Sequence, residues 1–191
     1  MARNLGPIVG LCALAAAGLS ACGGATPYQP AAEPGRNAPS GYGYSEQRLE
    51  QDRFIVMFSG NSMTSRNTVE TYLLYRAAEL TAGTGYDWFL TVQRGTDRHT
   101  RTRIDRAYGG IGPYPYWAPY WRYSSPRFGW RTWDPYMGDP FWDRGVDVRN
   151  IDRYEASAEI VMGRGPRPDD PRAFNARDVL ASLSGKIQEP R

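Results

Sequence analysis

The chain has 191 residues and a formal net charge of +3, a length that suits one domain and a charge too small to indicate nucleic-acid binding. Its two cysteines, Cys12 and Cys22, both lie near the N-terminus, so the sequence offers no disulfide to the rest of the chain. We therefore expect the folded part to be held together by its core alone.

The first 21 residues have the pattern of a signal peptide. Arg3 supplies a positive charge, and an apolar run from Pro7 to Leu19 follows it. Such a run is too short to span a bilayer core of about 30 Å with ordinary flanks. The sequence therefore predicts that residues 1–21 are removed from the mature protein.

The apolar run ends at Leu19-Ser20-Ala21-Cys22, which resembles the lipobox of bacterial lipoproteins. The resemblance implies that the Cys22 thiol takes a diacylglycerol and the freed amine a third acyl chain, and two or three chains anchor a protein stably. Gly23 stands where many Gram-negative bacteria place the aspartate that retains a lipoprotein in the inner membrane. An outer-membrane lipoprotein whose domain faces the periplasm is therefore favoured. The alternatives are an ordinary secretory signal with an incidental cysteine and an uncleaved anchor.

The composition after Cys22 changes to glycine, proline, alanine and serine. Four prolines between residues 23 and 45 are spaced too closely for helix or sheet. We therefore predict that residues 22–45 are the lipidated cysteine and a flexible linker, which would span about 25–30 Å. Residues 46–191 are predicted to form a single domain.

The predicted domain begins with a strand and a helix. In a strand over residues 53–59, side chains would point alternately to two faces, and both faces would be apolar. This pattern predicts a strand in a sheet with at least one covered face. A helix is expected from about Ser65 to Ala82, with the hydroxyl of Ser62 or Thr64 as its N-terminal cap. Apolar residues at spacings of three and four give this helix one core-facing stripe.

Two long alternating runs follow. The first is Tyr86–Arg94, with an alternation that resumes from His99 to Arg106, and the second is Asp152–Met162. They pair most simply as an antiparallel hairpin with an enlarged connection. Across such a hairpin, arginines of the first run would form ion pairs with glutamates of the second, unless they contact an anionic glycan or lipid instead. These residues are Arg101, Arg103, Glu155 and Glu159.

A second helix is expected near the end of the chain, capped by Asn175 and ended near Gly185. The predicted fold is therefore a small two-layer α+β domain in the order β-α-β-β-α. A long aromatic and proline-rich insertion, about residues 107–147, separates its second and third strands.

Five runs in these elements carry a resemblance to a known family. They are Gly60-Asn61-Ser62-Met63-Thr64, Tyr75-Arg76-Ala77-Ala78-Glu79-Leu80, Gly85-Tyr86-Asp87-Trp88-Phe89, Ala158-Glu159-Ile160 and Met162-Gly163-Arg164-Gly165. They are similar to a family of small uncharacterised lipoproteins of Gram-negative bacteria, over about residues 53–94 and 154–183. That family has no established activity, so the resemblance implies a location and a fold and transfers no catalytic residue.

The predicted insertion is dominated by aromatic residues and proline. Residues 108–142 hold about half of the chain's aromatic side chains, and six prolines among them predict irregular structure. Tyrosine, tryptophan and arginine concentrate binding energy at interfaces, and aromatic faces also stack on sugars. The candidate contact residues are Tyr116, Trp117, Tyr120, Trp121, Arg122, Trp130, Trp133 and Trp142. Two other interpretations stay open: rings that settle at the headgroup level of a membrane, and a low-complexity insertion collapsed onto its own sheet.

Enzyme chemistry has weaker support. His99 is the only histidine, and its neighbours are not arranged as a nucleophile and base require. Four aspartates at residues 134–147 are interrupted by two prolines, unlike the ligands of a calcium loop. The sequence therefore predicts no catalytic residue, cofactor or metal site, and a non-catalytic binding or structural role in the cell envelope. The predicted partners are the membrane, through acylated Cys22, and an envelope protein or glycan, but no nucleic acid. The alternative is an envelope hydrolase that acts on cell-wall material, with paired acidic groups or an activated nucleophile in a pocket.

Overall fold

The computed structural model describes residues 24–32, 41–92, 111–125, 129–133 and 153–190, with the backbone alone at residue 133. These residues form seven strands and two helices. The strands are β1 (Gly43–Arg48), β2 (Arg53–Asn61), β3 (Trp88–Val92), β4 (Tyr120–Ser125), β5 (Gly129–Trp133), β6 (Arg153–Gly163) and β7 (Ala173–Asn175). The helices are α1 (Arg66–Gly83) and α2 (Ala176–Leu183), and a short 3-10 turn follows at Ser184–Lys186. The strands pair in antiparallel fashion in one sheet, so the predicted α+β class is confirmed.

Strand β6 lies at the centre of the sheet. On one side it pairs with β2 along its length, from Val161 opposite Arg53 to Arg153 opposite Asn61. On the other side, β3 pairs with residues 159–163 and β4 with residues 153–157. The sheet continues outward to β1 beyond β2, to β7 beyond β3 and to β5 beyond β4.

Strands β3 and β4 form two halves of one sheet edge. Both run antiparallel to β6 and therefore in the same direction. Val92 at the end of β3 lies opposite Glu159, and Tyr120 at the start of β4 lies opposite Ser157. A single residue of β6 separates the two pairings. Val92 and Tyr120, 28 residues apart in the sequence, thus lie at neighbouring positions on the same edge of the sheet.

The structure has more strands than the predicted order β-α-β-β-α. Strand β1 begins inside the predicted linker, and the β4–β5 hairpin lies inside the predicted insertion. Prolines do not prevent this hairpin because each of its strands occupies a proline-free stretch, after Pro119 and again at residues 129–133. Strand β7 has three residues, too few to show a periodicity.

The predicted antiparallel pairing of the two long runs is present in part, because β3 in the first run pairs with residues 159–163 of β6. The run His99–Arg106, with Arg101 and Arg103, lies outside the residues that the structure describes. The partner of the first half of β6 is β4, which lies further along the chain. The sequence did identify β6 itself, because its alternation is long and regular.

Both helices begin at side-chain caps. The Ser65 hydroxyl accepts a hydrogen bond from the Thr68 amide at 3.1 Å, so the predicted caps Ser62 and Thr64 are wrong. The Asn175 side chain caps α2, as predicted, by accepting from the two amides that follow. Gly85 adopts a positive φ of 81° after α1, which is the conformation that a helix end favours in glycine. Within the described residues no helix is both long and apolar enough to cross a membrane.

The core lies between the helices and one face of the sheet. Side chains alternate along a strand, so Phe54, Val56 and Phe58 of β2 share this buried face. Tyr72 of α1 packs edge-on against Phe58, with 5.2 Å between ring centroids, and α2 adds Val179 to the same core. The odd-numbered residues of β2 and β6 point to the opposite side, which we call the open face; it includes Ser59, Glu155 and Glu159.

The first described segment contradicts the prediction of a flexible linker. In residues 24–32, Thr26 and Tyr28 are buried. The amides of Thr26, Tyr28 and Ala31 donate to the Thr64 hydroxyl (2.8 Å), the Gln188 carbonyl (2.7 Å) and the Tyr44 carbonyl (2.7 Å). The prolines of this segment have no amide to donate, but the residues between them do, so an irregular chain still pairs with the domain. The rest of the predicted linker before Gly41, residues 22–23 and 33–40, lies outside the described residues.

Candidate partner-contact surface

The open face carries a buried carboxylate that joins three strands. Glu155 of β6 accepts hydrogen bonds from Arg122 Nε of β4 at 2.6 Å and from the Ser59 hydroxyl of β2 at 3.0 Å. Charge and hydrogen bonds from both neighbours compensate for the burial of the carboxylate, which alone would be costly. Arg122 is therefore held at one position on the open face.

Arg122 in turn positions an exposed tryptophan on β5. Its guanidinium carbon lies 4.3 Å from the centroid of the Trp130 ring, which is the geometry of a cation–π interaction. Trp130 keeps 42% of its surface exposed. Beside it, the hydroxyls of Tyr120 and Thr132 share a hydrogen bond of 2.8 Å, and Tyr120 is also exposed. We call Tyr120, Arg122, Trp130 and Thr132 the hairpin surface.

The register of the hairpin explains why these four side chains meet. Arg122 lies directly opposite Thr132, and Ser124 lies opposite Trp130, so all of them point to the same side of the two strands. Trp121 alternates with Tyr120 and Arg122 and points to the other side. In the sequence, Tyr120, Arg122 and Ser124 alternate with Trp121 and Tyr123, so a period of two is present. Because aromatic residues occur on both faces, this period does not appear as a simple alternation of apolar and polar residues.

Trp117 and Trp121, two of the predicted contact residues, belong to the core. Both are fully buried, and the Trp117 ring packs edge-on against Phe89 and Phe174 at centroid distances of 6.4 and 5.9 Å. A side chain without exposed surface cannot meet a partner, so these two leave the candidate set. Trp121 is buried because it lies opposite Ala156, on the helix side of the sheet, where large rings fill much of the core.

The other predicted residues have different positions. Tyr116 is exposed, but it lies in the turn before β4 rather than on the hairpin surface. Trp133 is described by its backbone, which pairs with Trp121. Cys22 and Trp142 lie outside the described residues. Thr132 and Ser59 were not predicted as part of the site, and Glu155 was predicted only as an ion-pair partner. The available signal was the polar residues among the apolar residues of these strands.

A second ion pair lies on the open face. Arg53 Nε of β2 donates to Glu159 Oε1 of β6 at 2.6 Å, and Glu159 is buried. The predicted arginines for Glu155 and Glu159 were Arg101 and Arg103, whereas the described partners are Arg122 and Arg53. Both glutamates of β6 therefore pair with arginines of neighbouring strands, although these strands differ from the predicted one.

A polar cluster on the helix side fixes the N-terminal segment. The Tyr28 hydroxyl donates to Glu79 Oε2 at 2.6 Å, and Arg76 bridges Glu79 (2.5 Å) and Glu46 (2.8 Å). The Arg76 guanidinium also lies 4.2 Å from the centroid of the Tyr44 ring. Burial, and then the hydrogen bond to Glu79, raise the pKa of Tyr28 above its ordinary value. The ion pair between Arg76 and Glu79, three residues apart in α1, thus has a structural role, because it helps to dock Tyr28.

Glu70 of α1 is a buried carboxyl with an unusual pKa. The residue is 2% exposed, and its Oε1 has no hydrogen-bond partner. Burial raises its pKa to about 7, against a smaller opposing effect of the nearby Arg66. In the described residues, His, Cys, Asp and Glu form no group of three or more that could hold a metal ion.

Comparison with known proteins adds no assignment to this geometry. No protein-family model, no curated protein and no solved structure matches the chain. The resemblance to small Gram-negative lipoproteins therefore rests on the runs quoted above and stays a prediction. The same holds for acylation of Cys22 and for the outer-membrane location, both of which depend on residues 19–23.

Proposed function

We propose that the chain is a lipid-anchored protein of the outer membrane, acylated at Cys22, with a non-catalytic binding or structural role in the periplasm. Support for the location comes from the sequence around Cys22. In this proposal residues 107–147 are an insertion into a small two-layer domain, and the β4–β5 hairpin is the part of it that contacts an envelope partner.

The single observation that supports binding is the arrangement of Trp130 on the hairpin surface. An exposed indole is held by Arg122, and Arg122 is itself held by the buried Glu155. A ring that is already ordered loses little conformational entropy when a partner covers it, so more of its contact energy contributes to affinity. Tryptophan, tyrosine and arginine are also the residues that most often dominate binding energy. The proposed partner is an envelope protein or a glycan.

The test compares two equally exposed rings in the full-length lipoprotein. Trp130, with 42% of its surface exposed, would be replaced by alanine, and Tyr116, with 47% exposed, would be the matched control outside the hairpin surface. Partners would be captured from crosslinked envelopes and identified by mass spectrometry, and glycan binding would be measured by cosedimentation with purified cell-wall sacculi. We expect Trp130→Ala to lose a partner or the sacculi while Tyr116→Ala keeps them. An unchanged result for a folded Trp130→Ala protein would refute the proposal.

The alternative function, an envelope hydrolase acting on cell-wall material, lacks a favourable observation. A raised pKa near neutrality is a property of general acids, and Glu70 has one. However, Glu70 is almost completely buried and cannot touch a substrate in this structure. Release of soluble fragments from labelled sacculi by the purified protein would overturn the non-catalytic assignment.

A further inference from the structure

The docked N-terminal segment fixes the chain close to the proposed lipid anchor. Asn61 Nδ2 donates to the Gly24 carbonyl at 2.7 Å, and the Asn61 amide donates to the Thr26 hydroxyl at 3.0 Å. The Thr26 amide donates to Thr64 in the turn between β2 and α1. Gly24 is therefore attached to one end of the sheet, at the turn formed by residues 61–65, which we call the anchor turn.

Covalent geometry then limits the distance between this end and the membrane. Cys22 is two residues before Gly24, and consecutive Cα atoms lie 3.8 Å apart, so the two Cα atoms cannot be separated by more than about 7 Å. A flexible linker of residues 22–45 would have allowed about 25–30 Å. If Cys22 is acylated, the domain cannot turn freely above the membrane.

We propose that the anchor turn lies against the lipid surface, so that the domain has one fixed orientation on the membrane. This inference depends on the proposed acylation of Cys22. It commits to the headgroup region of the bilayer as the surface that covers the anchor turn.

The anchor turn carries an exposed apolar side chain beside a cation. Met63 is 54% exposed, and Arg66 is exposed at the start of α1. The first turn of α1 contains no acidic residue, so the positive end of the helix and Arg66 stand together without compensation from that turn. An anionic headgroup layer would supply that compensation, and the apolar Met63 would reach into the layer beside it.

The same end of the sheet extends to the hairpin surface. Asn61 lies opposite Arg153, Arg153 opposite Ser124, and Ser124 opposite Trp130. Three strand spacings place Trp130 about 14 Å from Asn61 along this row. The hairpin surface would therefore stand beside the membrane, and its partner would itself lie at the membrane surface.

The opposite end of the sheet provides a matched control. Leu49, in the turn between β1 and β2, is 41% exposed. The nine residues of β2 separate the two ends by about 27 Å. Met63 and Leu49 are therefore similar exposed apolar residues of which only Met63 should be near lipid.

The experiment uses the full chain with Met63→Cys or Leu49→Cys. Removal of Cys12 with the signal peptide and acylation of Cys22 would leave the new cysteine as the only free thiol. Each variant would carry a fluorophore and be reconstituted in vesicles of phosphatidylethanolamine and phosphatidylglycerol with nitroxide-labelled headgroups. We expect several-fold stronger quenching at position 63 than at position 49. Equal quenching, or stronger quenching at position 49, overturns the inference.

Two further measurements separate this inference from the proposed function. Mass spectrometry of the mature N-terminus and flotation with vesicles report acylation; without acylation the proposed anchoring fails, and this inference fails with it. If the protein is acylated and floats with the vesicles but shows equal quenching at both positions, the proposed orientation is rejected and the proposed anchoring is not. A flexible Gly-Ser insertion between Gly23 and Gly24 should keep flotation and abolish the difference in quenching. A difference that survives the insertion overturns the claim that the short tether sets the orientation.

Discussion

Replacement of Glu70 by glutamine should remove a large pH dependence from the stability of the domain. The carboxyl is buried in α1, its Oε1 has no hydrogen-bond partner, and burial raises its pKa from 4.5 to about 7. Between these two values the folded protein holds a proton on Glu70 that the unfolded chain has lost. The folded state therefore binds more protons, and the free energy of unfolding falls as the pH rises.

The size of the effect follows from the two pKa values. A tenfold change in proton affinity is worth about 1.4 kcal/mol, so a rise from 4.5 to about 7 corresponds to about 3 kcal/mol. This stability is present in full below about pH 4.5 and is lost as the pH rises through 7. Glutamine has no proton to lose in this range. Its buried amide has a cost of its own, but that cost is the same at every pH.

The assay is urea denaturation of the chain expressed without residues 1–22, at a series of pH values from about 5 to 8. The stability of Glu70→Gln relative to the unsubstituted protein should increase by about 2.5 kcal/mol across this range, most of the full effect. Glu189→Gln, which changes an exposed carboxyl near the C-terminus, is the control and should follow the unsubstituted protein. If the free energies of unfolding of Glu70→Gln and of the unsubstituted protein changed with pH in parallel, the burial of Glu70 would not control its protonation.

Three further comparisons, with five substitutions in all, test the packing. Trp117→Ala should lower the free energy of unfolding by about 3–5 kcal/mol because its ring is fully buried, whereas Tyr116→Ala should change it by only about 0.5 kcal/mol. If denaturant titrations gave similar losses of stability for the two variants, the core position of Trp117 would be contradicted. Gly163→Ala should lower Tm because its new Cβ would lie 2.0 Å from a neighbouring indole. Gly83→Ala, whose new Cβ would meet no atom, should raise Tm by stabilising the end of α1. If both variants shifted Tm in the same direction, this geometry would be contradicted. Tyr28→Phe should cost about 0.5–1.5 kcal/mol and make residues 24–32 more sensitive to limited proteolysis; an unchanged cleavage rate would mean that the hydroxyl does not help to dock the segment.

The elements that the sequence predicted well are those with long, regular patterns. Strand β2 has an unbroken apolar run, and the helices cover one of its faces, where Phe54, Val56 and Phe58 are buried. Helix α2 was found from the Asn175 cap and the alternation of β6 from its length. In each case the local pattern and the tertiary environment favour the same structure.

The elements that were missed depend on distant partners. Residues 24–32 have the composition of a linker, and their bonds to Thr64, Gln188 and Tyr44 can be recognised only when those residues are brought together by the fold. The aromatic segment is similar: composition marks it as unusual, but Trp121 and Trp130 have the same chemistry and opposite positions. Their separation into core and surface requires the pairing of β4 with β6.

The position of β6 also determines when the domain can form during synthesis. Arg53 and its partner Glu159 are separated by 106 residues, and β2, β3 and β4 all pair with the same late strand. At a synthesis rate of about 5–20 residues per second, β2 waits about 5–20 s for its partner to be made. Such long-range pairings also form slowly after the chain is complete. The nascent chain therefore lacks the central strand of its sheet until almost all of it exists, and before then only local pairings such as β1–β2 and β4–β5 can form.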